Sequence, residues 1–167
     1  MLTVTVPKTH VVLVEPEIHW NTGNAGRSCL AAGAQLHLVR PLGFSLDDKA
    51  VRRAGLDYWP KVQPVVWQDW TQFEAKLPEI GEPYFISPEA PRRLWEADLR
   101  EPLALLFGSE TRGLASTIRE KYQERLLSIP MDRADLRSLN LSTCVGIALY
   151  EVMRQRLAGV RQKLNRP

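Results

Sequence analysis

Six short apolar runs interleaved with amphipathic segments constrain the fold of this chain more than any other feature. "HVVLVEP", "AQLHLVRP", "VQPVVW", "PYFISP", "EPLALLFG" and "LLSIPM" read as strands. Between and after them, "NAGRSCLAAG", "LDDKAVRRAG", "WTQFEAKL", "LASTIREKYQERL" and "NLSTCVGIALYEVMRQRL" read as helices. Gly33 and Gly55 end the first two, and Asp47 or Asp48 caps the second. Strands alternating with helices predict an α/β fold with a mostly parallel six-stranded sheet, because a parallel pair needs a crossover long enough to hold a helix. The strands are continuously apolar, which fits helices on both faces of the sheet. With 167 residues and no repeat, linker or low-complexity tract, a single domain over 1–167 is expected.

Composition excludes some function classes. The longest apolar runs, "HVVLV" and "PLALLF", fall far short of the ~20 residues of a membrane span. The start "MLTVTVPKTH" lacks a secretory pattern, so a cytoplasmic protein is expected. Cys29 and Cys144 fall in helical segments without paired spacing and read as small apolar residues in a reducing compartment. The histidines, His10, His19 and His37, lack ligand spacing with the cysteines, so no metal is expected; His37, inside "QLHLV", reads as structural. A net charge of +3 permits a nucleic-acid partner without demanding one. Basic clusters occur at Lys49, Arg52 and Arg53, at Arg92 and Arg93, and along a tail from Arg154 through Arg156, Arg161 and Lys163 to Arg166. Several clusters on one small chain favour an anionic partner over a merely solvated surface.

Ligands of parallel α/β sheets sit at the carboxyl ends of the strands. The unusual stretches here all follow strands: "EPEIHWNTGNAGR", "SPEAP", "GSETRGL" and "PMDRADLRSLNLS". "NTGNAGR" reads as a small-residue loop, which either cradles phosphate or presents Arg27. It lacks the G-x-G-x-x-G spacing of a dinucleotide loop, and the chain has no GK[ST] for a nucleoside triphosphate. Gly108 and Gly113 in "FGSETRG" allow close backbone approach, although a plain turn and a surface pair of Glu110 with Arg112 read equally well. Ser138, Asn140 and Ser142 precede a helix; one residue suffices to cap it, and three interleaved with Leu139 and Leu141 suit a ligand with apolar and polar parts.

Taken together, "NTGNAGR", "LLFGSETRGL" and "IPM…RSLNLSTCVGIALYE" resemble the three ordered motifs of the SpoU (TrmH-like) branch of the SPOUT RNA methyltransferases. The likeness runs from about Val11 to Arg156 and is greatest to short members that methylate the ribose of the wobble nucleotide, position 34 (cytidine or modified uridine), of tRNA. Two departures are visible: "DRADL" is about a residue longer, and "IHW" stands where many relatives have "IPPN"-like residues.

The resemblance implies a deep C-terminal trefoil knot built from about 83–150, an exception to the unknotted rule. It implies S-adenosylmethionine as cofactor, held near Ile86, Ser87, Gly108, Ile129, Ser138 and Leu139, and a homodimer to which Val145, Ile147 and Leu149 of the last helix contribute. Arg27 becomes either the base for the ribose 2′-hydroxyl or a charged clamp on the neighbouring phosphate. An arginine's ordinary pKa, far above neutrality, disfavours the first, and a nearby sulfonium would lower it. Asn21 fixes the first motif, Glu110 orients an arginine or the ribose, and Ser138 and Asn140 position the nucleophile or the methionine end of the cofactor. Lys49, Arg52, Arg53, Tyr150 and Arg154 are expected to contact RNA, with Tyr150 either stacking on a base or packing between subunits. An anticodon loop is a target small enough for a chain with so little beyond its catalytic domain. The alternatives are ribose methylation of ribosomal RNA or another tRNA position, and a knotted RNA-binding protein without catalysis. A nucleotide-dependent oxidoreductase is a more distant one, suggested by fold class alone.

Overall fold

The computed structural model describes residues 8–47, 58–133 and 135–164, with 160–164 described through the backbone alone. Its elements are β1 (Thr9–Val14), α1 (His19–Ala32), β2 (Gln35–Val39), α2 (Trp59–Val62), β3 (Val65–Trp67), α3 (Trp70–Ile80), β4 (Glu82–Ile86), β5 (Leu103–Phe107), α4 (Ser116–Lys121), β6 (Leu126–Leu127) and α5 (Leu141–Leu164). The helix expected over "LDDKAVRRAG" lies largely outside the described residues, as do Lys49, Arg52 and Arg53. All six strands are parallel, in the order β3-β2-β1-β5-β4-β6. Successive side chains of a strand point to opposite faces, and both faces are filled. On one, Val11, Leu13, Leu36, Leu38 and Leu105 meet Cys29 of α1 and Val145, Leu149 and Val152 of α5. On the other, Val12, Val14, Phe85 and Leu106 meet Phe73 and Leu77 of α3 and Ile118 of α4.

Three expectations change. First, "NTGNAGR" is not a loop: α1 already begins at His19, and Arg27 sits mid-helix. Asn21, Thr22, Gly23, Ala25 and Gly26 are buried, so the small residues serve packing rather than a phosphate. A Cβ on Gly26 would lie 3.1 Å from both Trp59 and Val62. Second, Val145 and Leu149 are fully covered by their own chain, which makes them core rather than subunit contacts; Ile147 is half-buried against the same core. Third, β6 is a two-residue strand, prolonged by a bridge between Arg93 and Ser128.

His37 belongs to the second face. Its Nδ1 accepts from Trp67 Nε1 at 3.1 Å, which leaves the proton on Nε2, 3.0 Å from His10 Nδ1. Burial, aided by the neighbouring His10, pulls the His37 pKa from 6.5 down to about 4. The unfolded chain therefore takes up a proton that the folded chain refuses. Stability from this site is intact above pH 6.5 and is lost as pH falls towards 4, by at most about 3 kcal/mol. Urea midpoints at pH 7.5 and 4.5 should fall further for the native chain than for His37→Gln; parallel falls would contradict the assignment.

Candidate active site at the carboxyl ends of the strands

From β1 the chain builds outward through β2 to β3, then crosses to the other side of β1, so the strand order reverses between β1 and β5. Crevices of doubly wound sheets open at such points. There the loop after β5 grips the segment after β1. Glu110 Oε2 accepts from the backbone N–H of Glu17 at 2.7 Å, and Oε1 accepts from that of Ile18 at 3.2 Å and from Asn21 Nδ2 at 3.0 Å. A carboxylate thus supplies the missing acceptors at the start of α1, where charge and helix dipole agree. Reciprocally, the Glu17 carboxylate accepts from Thr111 N–H at 3.0 Å and from its hydroxyl at 2.7 Å, and Arg112 pairs with Glu15 at 3.0 Å. Glu110 therefore orients α1 and Asn21 rather than an arginine, and Arg112 pairs with Glu15 and, at 3.9 Å, with Glu17.

Asn21 Oδ1 accepts from Asn140 Nδ2 at 2.9 Å. Asn140 Oδ1 in turn accepts from Ser142 N–H at 2.9 Å and Ser142 Oγ at 2.7 Å, capping α5. One hydrogen-bonded line, Glu110–Asn21–Asn140, joins the three motif stretches across 89 and 119 residues of sequence. Ser138, two residues earlier, is exposed.

The residues expected around a cofactor follow neighbouring strands. Ile86 ends β4 and Ser87 follows it, Gly108 follows β5, and Ile129 comes after β6. Ile86 is in register with Phe107 and with Leu127, so these ends lie side by side. Ile86 and Ile129 share one core cluster, with Leu139 packed against it. Ser87 is 6% exposed, and its hydroxyl has no partner among the described residues. An apolar wall beside a hydroxyl with no partner among the described residues is what an adenine with a polar end requires. Gly108 is fixed by close packing: a Cβ there would stand 2.0 Å from Gly113 C and 2.1 Å from Leu114 N. Gly108→Ala is accordingly expected to cost at least ~3 kcal/mol and to lower the soluble yield or melting temperature sharply; a native melting temperature would refute the packing.

Arg27 is exposed, and its guanidinium lies over the ring of Tyr58, 5.4 Å from the centroid. The Tyr58 hydroxyl donates to the Gly23 carbonyl at 3.0 Å, so the aromatic is tied to the same helix. Arg27 makes no hydrogen bond with Asn21, Glu110, Ser138 or Asn140 among the described residues. Tyr150 is exposed, and Arg154 holds the buried carboxylate of Glu151 through two bonds of 2.8 Å. Sequence reading missed Glu17, Thr111 and Tyr58. "EPE" was visible as unusual, but its partners are far away in sequence.

Burial raises the Cys29 thiol to about 12 and the Cys144 thiol to about 11, which leaves both protonated and poor nucleophiles. No cluster of potential metal ligands occurs among the described residues, and no described helix is long and apolar enough to cross a membrane. A cleft of about 740 Å³ opens at the opposite, amino ends of β4 and β5. Its carboxylates Glu74, Glu82 and Asp98 are each paired with a cation, Lys121, Arg125 and Arg100.

The profile of the SpoU rRNA Methylase family matches residues 8–150. The tRNA (cytidine(34)-2′-O)-methyltransferase of Burkholderia cenocepacia (strain HI2424) is 43% identical over 148 residues, covering 87% of this chain and 94% of the relative. A solved structure described as "Structural insights into the 2-OH methylation of C/U34 on tRNA" has a TM-score of 0.83 at 42% identity, over 92% of this chain and 99% of that one. AviRb of Streptomyces viridochromogenes, solved in complex with AdoMet, shares the fold with a TM-score of 0.78 at 24% identity, over 92% of this chain and 60% of its own. The all-parallel sheet, the three motif stretches meeting at its switch point and the match over most of the sequence agree: the chain belongs to the SpoU rRNA Methylase family.

Proposed function

We propose that this chain transfers a methyl group from S-adenosylmethionine to the ribose 2′-hydroxyl of the wobble nucleotide of tRNA, cytidine or modified uridine at position 34. The observation that carries the reading is the Glu110–Asn21–Asn140 line, which locks the three motifs into one rim. The naming of relatives at 42–43% identity supports the substrate.

In this mechanism Ile86, Ser87, Gly108, Ile129, Ser138 and Leu139 hold the cofactor within a knot formed by about 83–150 of a single domain. When bound, S-adenosylmethionine would supply a sulfonium-activated methyl group for the ribose 2′-oxygen, departing as the neutral thioether S-adenosylhomocysteine, with the hydroxyl proton released to solvent. Glu110 anchors the start of α1, and the helix carries Arg27. The Arg27 guanidinium lies over the Tyr58 ring, which holds its planar fork in place. It clamps the phosphate beside the target ribose and sets the line of attack. Asn140, with both ends of its amide engaged, acts through Asn21 and α5, while the hydroxyl of the exposed Ser138 orients the nucleophile. Lys49, Arg52, Arg53 and Arg154 contact phosphates. The enzyme is a cytoplasmic homodimer, with Tyr150 and Leu157 on one exposed face of α5 contributing to the shared surface; of its two expected roles, Tyr150 then serves packing.

Labelled methyl transfer from S-adenosylmethionine to unmodified tRNA and to ribosomal RNA, with the product nucleotide mapped, tests the proposal. Label on the wobble ribose is expected. Label confined to ribosomal RNA would replace the substrate, and cofactor binding without transfer to either would remove the activity.

A further inference from the structure

Three of the chain's five tryptophans, Trp59, Trp67 and Trp70, pack against the protein's own core. Trp20 does not: it is 58% exposed in the first turns of α1. Its aromatic neighbour is His19, in a T-shaped contact at 4.7 Å and 67°. With more than half of the residue exposed, much of the indole is open to solvent. The position is rigid, because Glu110 holds the N–H groups of Glu17 and Ile18 just before it. Next to it, Asn21 occupies the middle of the Glu110–Asn21–Asn140 line.

Trp20, Asn24 and Arg27 are all exposed and recur at helical spacing on one stripe of α1. The α-helical rise puts the backbone positions of Trp20 and Arg27 about 10 Å apart. An open indole, an amide and a guanidinium in a row match a single-stranded nucleotide chain, whose bases stack on aromatics and whose phosphates take cations. Tryptophan and arginine are also enriched in subunit interfaces, so a second copy of this chain is the competing occupant of the stripe.

Resting on the function proposed above, we infer that Trp20 is a stacking platform for an unpaired base of the substrate RNA, beside the reacting ribose. Loss of one stacked base weakens RNA binding by about ten- to a hundredfold. The test compares wild type, Trp20→Ala and Trp20→Phe in binding a fluorescently labelled anticodon stem–loop RNA, in methyl-transfer kinetics and in sedimentation. Trp20→Ala is expected to raise the RNA Kd and KM by that factor, with kcat, S-adenosylmethionine affinity and sedimentation unchanged; Trp20→Phe should recover most of the loss. An unchanged RNA Kd in Trp20→Ala would overturn the inference. So would a shift in subunit association, which would make Trp20 a contact with a second copy. Because RNA binding is read separately, a wild type that binds the stem–loop without methylating it would sink the proposed activity and leave the role of Trp20 to be decided by the Kd.

Discussion

Arg27→Ala is expected to lower kcat/KM for methyl transfer to tRNA by about a thousandfold, the scale on which enzymes lose a positioned charge at the reacting centre. The residue is exposed and shares no hydrogen bond with the Glu110–Asn21–Asn140 line, so the fold and S-adenosylmethionine affinity should be unchanged. Arg27→Lys refines the expectation. It keeps the positive charge but loses the planar fork that grips phosphate and stacks on Tyr58, so its activity should fall between wild type and alanine. Activity of Arg27→Ala within tenfold of wild type would remove Arg27 from the reaction.

The second large effect is expected at Glu110, through structure as well as activity. Its carboxylate takes hydrogen bonds from Glu17 N–H, Ile18 N–H and Asn21 Nδ2. Bonds to a charged acceptor each contribute about 1.5–3 kcal/mol, and solvent can replace part of that at a half-buried site. Glu110→Ala should therefore lose about 3 kcal/mol and melt on the order of 10 °C lower. Methyl transfer should fall with it even below the melting transition, because the loosened start of α1 carries Asn21 and Arg27. Glu110→Gln retains one acceptor oxygen and should lie between. A melting temperature within about 2 °C of wild type in Glu110→Ala would show that the start of α1 is held by something else.

The contrast between α1 and α5 shows what local sequence encodes. The start of α5 was legible, since Asn140 caps it from the residue just before the helix. The start of α1 was not: Ile18 at its N-cap makes no side-chain cap, and the acceptors come from Glu110, some 92 residues away. Without that carboxylate, "NTGNAGR" reads as a loop, because glycine and asparagine are weak helix formers. The strands were legible from continuous apolar runs. Their order was not, because the insertion of β5 between β1 and β4 is decided by which faces pack.

The candidate site divides in the same way. That the motif stretches share one rim follows from the rule for strand ends, and Asn21, Glu110 and Asn140 are found hydrogen-bonded there. The seat of Arg27 on Tyr58 depends on a contact across 31 residues that no spacing announces. Val145 and Leu149 illustrate a further limit: helical periodicity marks an apolar face but not what covers it, and here the chain's own sheet does.

The most direct test of the central claim uses anticodon stem–loop RNAs in which single riboses are replaced by 2′-deoxyribose. The account predicts that removing the 2′-hydroxyl at position 34 abolishes methyl incorporation, while the same change at position 33 or 35 leaves incorporation in place. Undiminished methylation of the RNA deoxy-substituted at position 34 would contradict the account, because the acceptor would then be a different atom.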